Sequence, residues 1–181
     1  MGALSTPVIM PVSGAVTGVI LVSSNTFTSN TGTTAYTIGD LIGNSLTNTA
    51  IVSLQFSVAT ANGGTGSIRR ARVKTTDTGA NGGVVRVHLF KLDPAAAGSV
   101  VNGDNGVFLV KESSWIGALD VTMSQHFADF EKGNGTPNTG SELNFATANT
   151  GTIIYSLLEA RSAITPVGGK PWTIDLEVFP N

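Results

Sequence analysis

Cysteine is absent from the 181 residues, which excludes disulfides and thiolate metal sites. Charged residues are also scarce, at 12% of the chain, about half of the ~25% typical of soluble domains. The net charge is −2 and no concentrated basic footprint occurs, so the sequence argues against a nucleic-acid partner. No apolar run approaches the ~18 to 20 residues of a membrane span, and no basic residue precedes the apolar N-terminus. We therefore expect neither a membrane segment nor a signal peptide.

Small polar residues replace charge as the solubilising component, and glycine alone contributes 22 residues. With a mean hydropathy of +0.20, part of the surface is expected to be covered by neighbouring molecules. The length suits one domain, which we place at residues 15–181. Residues 1–14 contain two prolines and two glycines, so they predict an extended N-terminal arm rather than an interior strand or helix. Such an arm can bind a neighbour by strand addition.

Short strand patterns recur along the chain. The segment at 82–94, GGVVRVHLFKLDP, is apolar on both faces and predicts a strand in the middle of a sheet. We expect 68–75 to be its antiparallel partner across the DTGANGG turn. The last strand, at 171–179, alternates cleanly and predicts four inward side chains: Trp172, Ile174, Leu176 and Val178. Repeated short strands without a long helical pattern predict an all-β fold, a single antiparallel β-sandwich that is jelly-roll-like.

Other segments give more local expectations. The alternation at 51–59 predicts that Val52 points inward, and the pattern at 115–123 predicts the same of Trp115. A short strand is expected at 106–110. The Gly/Asn/Pro-rich segment at 133–140 is expected to be a loop.

No catalytic motif is present. The two histidines, His88 and His126, lack the spacing of a metal enzyme, and His88 is expected to be a hydrogen-bonded sheet residue. Two acid pairs could share a strand face as in glycosidases, Asp129 with Glu131 and Asp175 with Glu177, but solvated positions explain them more simply. We expect no enzyme activity and no cofactor.

Calcium ligation is the other chemistry considered. Asp93, Asp104 and Asn105 lie near turns and carry oxygen ligands of the kind that Ca²⁺ prefers. The sequence Asn-Gly-Asp-Asn-Gly is equally typical of turn chemistry, where Asp and Asn bond nearby backbone and Gly adopts positive φ. The turn interpretation is favoured, and no metal site is predicted.

Two charged stripes are the candidate interaction residues. Arg70, Arg72 and Lys74 recur at period two and share one face of a strand, and Asp175 and Glu177 do the same on the last strand. Like charges in a row repel, so a sheet that keeps such a stripe is expected to set opposite charge near it. Two interpretations stay open: two separate solvated faces, or stripes that meet, on neighbouring strands or across a subunit interface.

Several segments resemble a known family. They are TAYTIGDLIGNS at 34–45, SIRRARVKTTD with VVRVHLFKLDP, NGDNGVFLVKESSWIG at 102–117, and the closing GKPWTIDLEVF. Over residues 34–179 the chain resembles small virion proteins of tailed phages, in which a Tyr-x-x-Gly-Asp turn precedes the sandwich. The shared motifs are turns and core positions, so the resemblance carries no catalytic residues.

The resemblance implies a non-enzymatic structural protein that decorates or cements a bacteriophage capsid. It implies a location on the capsid surface of the virion after assembly in the host cytoplasm. The implied partners are the major capsid protein or another virion protein, and the implied oligomer is a homotrimer. The alternative is a receptor- or glycan-binding module on a phage tail or head fibre.

Overall fold

The computed structural model describes residues 20–96, 101–109, 112–138, 140 and 142–181. The predicted arm, residues 1–14, lies outside the described residues. Three 3₁₀ turns occur in this part of the chain, at Asn48–Ala50, Thr78–Ala80 and Glu112–Ser114. The strands in the same ranges are β1 (Leu21–Thr28), β2 (Leu41–Ile42), β3 (Leu54–Ser57), β4 (Thr65–Thr75), β5 (Val84–Phe90), β6 (Trp115–His126), β7 (Glu131–Gly135), β8 (Leu143–Ala146), β9 (Ile153–Ala160) and β10 (Pro171–Pro180).

These strands form one antiparallel sheet in the order β1-β10-β4-β7-β6-β5-β9-β2. In addition, β8 pairs with β4 and β3 pairs with β9. The sheet curls into a half-barrel, which confirms the predicted all-β, antiparallel, sandwich-like fold. Curling lets one sheet supply both walls of the core, as two sheets do in a sandwich.

A side chain links the two ends of the curled sheet. The Asn25 amide, on β1, donates to the carbonyl oxygen of Gln55 on β3 at 2.8 Å. The same side chain accepts from the backbone N–H of Thr26 at 2.7 Å. Asn25 thereby satisfies backbone groups along two strand edges that would otherwise attract another chain.

The main core fills the inside of the curl. Its largest fully buried side chains include Trp172, Phe56, Ile68, Leu119 and Met123. All four inward residues predicted for β10 are completely buried. A second cluster lies on the outer face of the sheet and covers β5 and β9; its buried members are Leu41, Ile51, Phe90, Val101 and Leu157.

The central position predicted for β5 is confirmed, but its predicted partner is wrong. β5 pairs with β6 and β9, whereas β4 pairs with β10, β7 and β8. The segment between them is not a tight hairpin turn. Asp77 Oδ1 accepts from the N–H groups of Gly79 and Val167, both at 3.0 Å, and these bonds direct the chain away from β4.

Four local predictions are also corrected. Val52 is 64% exposed, because β3 begins only at Leu54. Trp115 is 50% exposed, because a pairing irregularity between Leu89 and Phe90 shifts the phase of β6. Of the strand predicted at 106–110, the described residues 106–109 contribute a single bridge, from Val107 to Asp40, rather than a strand. Residues 131–135, assigned in part to a loop, form β7.

Candidate functional site

The two charged stripes lie side by side on the outer face of the sheet. In the β4–β10 pairing, Arg70 is opposite Glu177 and Arg72 is opposite Asp175. Lys74 is opposite an uncharged residue, Thr173. The interpretation in which the stripes meet as neighbouring strands is therefore confirmed.

Glu177 is the centre of this arrangement. Its Oε2 lies 2.8 Å from Arg70 Nη2 and 3.4 Å from Arg72 Nη2. The two arginine side chains are 40% and 36% exposed, while that of Glu177 is only 8% exposed. Glu177 is thus not the solvated position that the sequence indicated, because the arginines cover it. Lys74 instead places Nζ 5.1 Å from the centroid of the Phe130 ring, a cation–π contact.

A bulge in β4 aims Arg70. Glu177 is opposite Arg70 and Val178 is opposite Ile68, so Arg69 is an extra residue in β4. Bulges of this kind turn a side chain in a new direction and are common beside functional sites. The result is two consecutive arginines with different contacts: Arg69 lies over the Phe179 ring, 5.8 Å from its centroid, and Arg70 pairs with Glu177.

A hydrogen-bonded network lies farther across the same outer face. His88 Nε2 is 2.7 Å from Glu159 Oε2, and Trp115 Nε1 donates to His88 Nδ1 at 3.3 Å. Arg161 donates to the other oxygen of Glu159 at 3.0 Å. The ring of Phe108 stacks on His88, with centroids 4.3 Å apart. His88 is a hydrogen-bonded sheet residue, as predicted.

The hydrogen-bond donors in this network determine which ring nitrogen of His88 carries the proton. Since Trp115 donates to Nδ1, that nitrogen is the acceptor, so the neutral ring carries its proton on Nε2 and donates to Glu159. Burial by itself would raise the pKa of Glu159, but the hydrogen bonds from His88 and Arg161 and the charge of Arg161 outweigh it and hold that pKa below its ordinary value. The carboxylate is therefore ionised and fully engaged.

A second ion pair lies between the network and the stripes. Arg86 Nε is 2.6 Å from Asp120 Oδ1 and Arg86 Nη2 is 2.8 Å from Asp120 Oδ2, a bidentate pair. The hydrogen bond from Arg86 is the largest effect that lowers the pKa of Asp120. Asn138 accepts from the backbone N–H of Asp120 at 2.9 Å. This geometry fixes the carboxylate at the surface.

One carboxylate oxygen of each aspartate considered for calcium accepts hydrogen bonds within the protein. Asp104 Oδ1 accepts from Tyr36 Oη and from the N–H of Gly43, both at 2.8 Å. Burial raises the pKa of Asp104 and also that of Tyr36. Asp93 Oδ1 accepts from the Ser53 hydroxyl and from the backbone N–H of Ala95 in the following turn. The turn interpretation fits, except that Asn105 itself, rather than a glycine, adopts positive φ, at 60°.

The acid pair Asp129 and Glu131 is not a solvated pair. Asp129 is exposed, but Glu131 is completely buried and contacts His126. Within the described ranges, no three His, Cys, Asp or Glu side chains form a group that could hold a metal ion. In this part of the chain, no helix is both long enough and apolar enough to cross a membrane.

Sequence reasoning missed the network around His88, because its members come from β5, β6 and β9. The available signal was the pair of polar residues, Arg86 and His88, in an otherwise apolar face of one strand. Polar residues at buried sheet positions require partners. Their partners, Asp120 and Glu159, depend on strand pairing that the sequence does not state.

No protein-family model matches the chain, and no curated protein matches it.

Proposed function

We propose that this chain is a non-enzymatic structural protein of a bacteriophage particle, which decorates or cements the capsid as a homotrimer. It binds the major capsid protein or another virion protein on the capsid surface. The particle that carries it is assembled in the host cytoplasm. The observation that supports this most is a set of exposed apolar side chains on the segments that flank the His88 network, here called the Trp115 patch. It consists of four large side chains that are each at least half exposed: Leu92, Val107, Leu109 and Trp115.

The contacts of Trp115 support a binding role for this patch. Its indole ring is half exposed, yet its Nε1 donates to a buried histidine and its ring centroid lies 6.4 Å from that of His88. Phe108 stacks on the same histidine, while its neighbours Val107 and Leu109 are exposed. A rigid aromatic side chain loses little conformational entropy on binding, and tryptophan is enriched among the residues that dominate interfaces.

The low charge content supports the same conclusion. A monomer that stays in solution keeps contiguous apolar patches small and surrounds them with charge. Here much of the described surface charge is engaged within the chain, as in Arg70–Glu177 and Arg86–Asp120. These ion pairs hold their side chains in place and do not repel an approaching partner. This suits a protein that packs against other copies of itself or against neighbouring proteins.

The Trp115→Ser variant tests this proposal, with Phe127→Ser as its matched control. Phe127 is also an exposed aromatic residue, 45% accessible, but it lies in the turn between β6 and β7. We expect light scattering to give a trimer for the wild-type chain and for Phe127→Ser. Trp115→Ser should lose the trimer or its attachment to purified particles. A wild-type monomer at micromolar concentration that binds no particle would overturn the proposal.

A further inference from the structure

An open polar groove lies between the two ion-paired regions of the outer face. It measures about 330 Å³ and is lined by Arg70 of β4, Asp120 and Thr122 of β6, and residues 134–136 at the end of β7. This volume is at the lower end of the range for small-ligand sites, about 300–1,000 Å³. Apart from Gly135, each lining residue carries a polar side chain, so the groove offers hydrogen-bonding groups beside the carbon atoms of those side chains.

The two charged side chains that line the groove are each held in place by an ion-pair partner. Arg70 is aimed by the bulge at Arg69 and held by Glu177 at 2.8 Å. Asp120 is held on the other side by both nitrogens of the bidentate contact from Arg86. Each group keeps hydrogen-bonding capacity beyond these contacts, since a guanidinium has five N–H donors and a carboxylate accepts about four bonds. A site whose groups are held in place in advance loses less entropy when a ligand binds.

The floor of the groove is formed where β7 packs closely against β6. A Cβ on Gly135 would lie 2.1 Å from the carbonyl oxygen of Asp120, and one on Gly133 would lie 2.3 Å from that of Thr122. Glycine at both positions therefore lets β7 approach β6 closely. Asn134 lies between these glycines, opposite Thr122 in the pairing, and both side chains are exposed. An amide and a hydroxyl are thus presented next to each other.

The charges in and around the groove balance. Arg70 and Asp120 line it, and each is paired with a side chain of opposite charge, Glu177 and Arg86 respectively. A free anion facing Arg70 would also face nearby carboxylates, and a cation facing Asp120 would meet the arginines. A neutral ligand whose hydroxyl groups both donate and accept fits this mixture of donors and acceptors better.

We propose that this groove binds a neutral saccharide through vicinal hydroxyl groups. Arg70 donates to one hydroxyl, Asp120 accepts from a neighbouring one, and Asn134 and Thr122 bond the next. None of the described residues that line the groove is aromatic, so affinity rests on hydrogen bonds, and a single site is weak. Several copies of the chain on one particle would add avidity. This inference does not depend on the proposed structural function.

The test is a chemical-shift titration of the ¹⁵N-labelled full-length chain. The probes are glucose, galactose, mannose, N-acetylglucosamine and their disaccharides, with inorganic phosphate added separately. We expect at least one saccharide to shift amide signals of residues 120–122 and 134–136. Asn134→Ala and Thr122→Val should each weaken that binding about fivefold or more, the loss expected for one hydrogen bond of about 1 kcal/mol.

Ser124→Ala, an exposed change on the same strand, is the control and should keep full affinity. Both test positions are exposed, so the variants are expected to fold, and their melting temperatures verify this. Three results would each overturn the proposal: no shift with any saccharide, shifts outside the groove, or binding that both groove variants retain. Shifts at Arg70 with phosphate alone would also contradict it, because they would indicate an anion site.

Discussion

Replacing Glu177 by Gln removes one charge without changing the shape of a nearly buried side chain. Two arginines, at 2.8 and 3.4 Å from one carboxylate oxygen, would lose their counter-ion while they remain neighbours on β4. Because the carboxylate is buried and the arginines are partly exposed, the loss lies between the ~0.2–1 kcal/mol of a surface pair and the ~3–5 kcal/mol of a broken buried pair. We expect about 2 kcal/mol, or roughly 4–8 °C in melting temperature for a domain of this size.

The partner of Glu177 is identified by double-mutant cycles with Arg70→Gln, Arg72→Gln and Lys74→Gln. Free energies of unfolding come from urea titrations. The shorter distance predicts a coupling of about 1 kcal/mol with Arg70 and a smaller one with Arg72. Lys74 is the matched control, because it contacts Phe130 instead, and its coupling should be near zero. The Arg70 coupling should also fall as salt is added. Equal couplings for Arg70 and Lys74 would refute the assigned pairing.

The remaining predictions concern backbone packing and pH. Gly135→Ala should destabilise the fold by about 3 kcal/mol or more, because the new methyl group meets backbone 2.1 Å away. Gly151→Ala, whose nearest atom is 4.0 Å away, should change the unfolding free energy by less than about 0.5 kcal/mol. The folded-state pKa of Glu159 is lowered. Its stabilising contribution is therefore present above the unfolded pKa, about 4.3, and is lost as pH falls through the folded value. Glu159→Gln should reduce melting temperature at neutral pH and weaken its decline in acid. The folded-state pKa of Asp104 is raised, so its contribution is lost as pH rises through the folded value. Asp104→Asn should remove that loss of stability at higher pH. Melting temperatures measured across pH check both assignments, and identical pH profiles for Glu159→Gln and Asp104→Asn would contradict them.

The fold class could be predicted because it depends on alternation, and alternation is local. The inward residues of β10 follow directly from period two. The repulsion of like charges made opposed stripes on neighbouring strands one of the interpretations that the sequence left open. The partner of β5 could not be predicted in this way. A Gly-rich segment between two strand patterns indicates a hairpin, but Asp77 bonds the distant Val167 and directs the chain elsewhere.

The site was harder to predict for the same reason. The arginines of β4 were identified, but the bulge at Arg69 that aims Arg70 arises only from the register with β10. Trp115 was placed inside because its spacing matches the buried residues of β6, and a pairing irregularity reverses its direction. Features that depend on register between distant strands are not encoded in the local pattern.

Copy number in purified particles tests the central claim most directly. Quantitative mass spectrometry of virions that encode this chain should compare it with the major capsid protein. A decorating or cementing protein is present in a fixed ratio to the capsid protein, and we expect hundreds of copies. A handful of copies would instead indicate a tail or fibre component, and complete absence from the particle would contradict the proposed virion role.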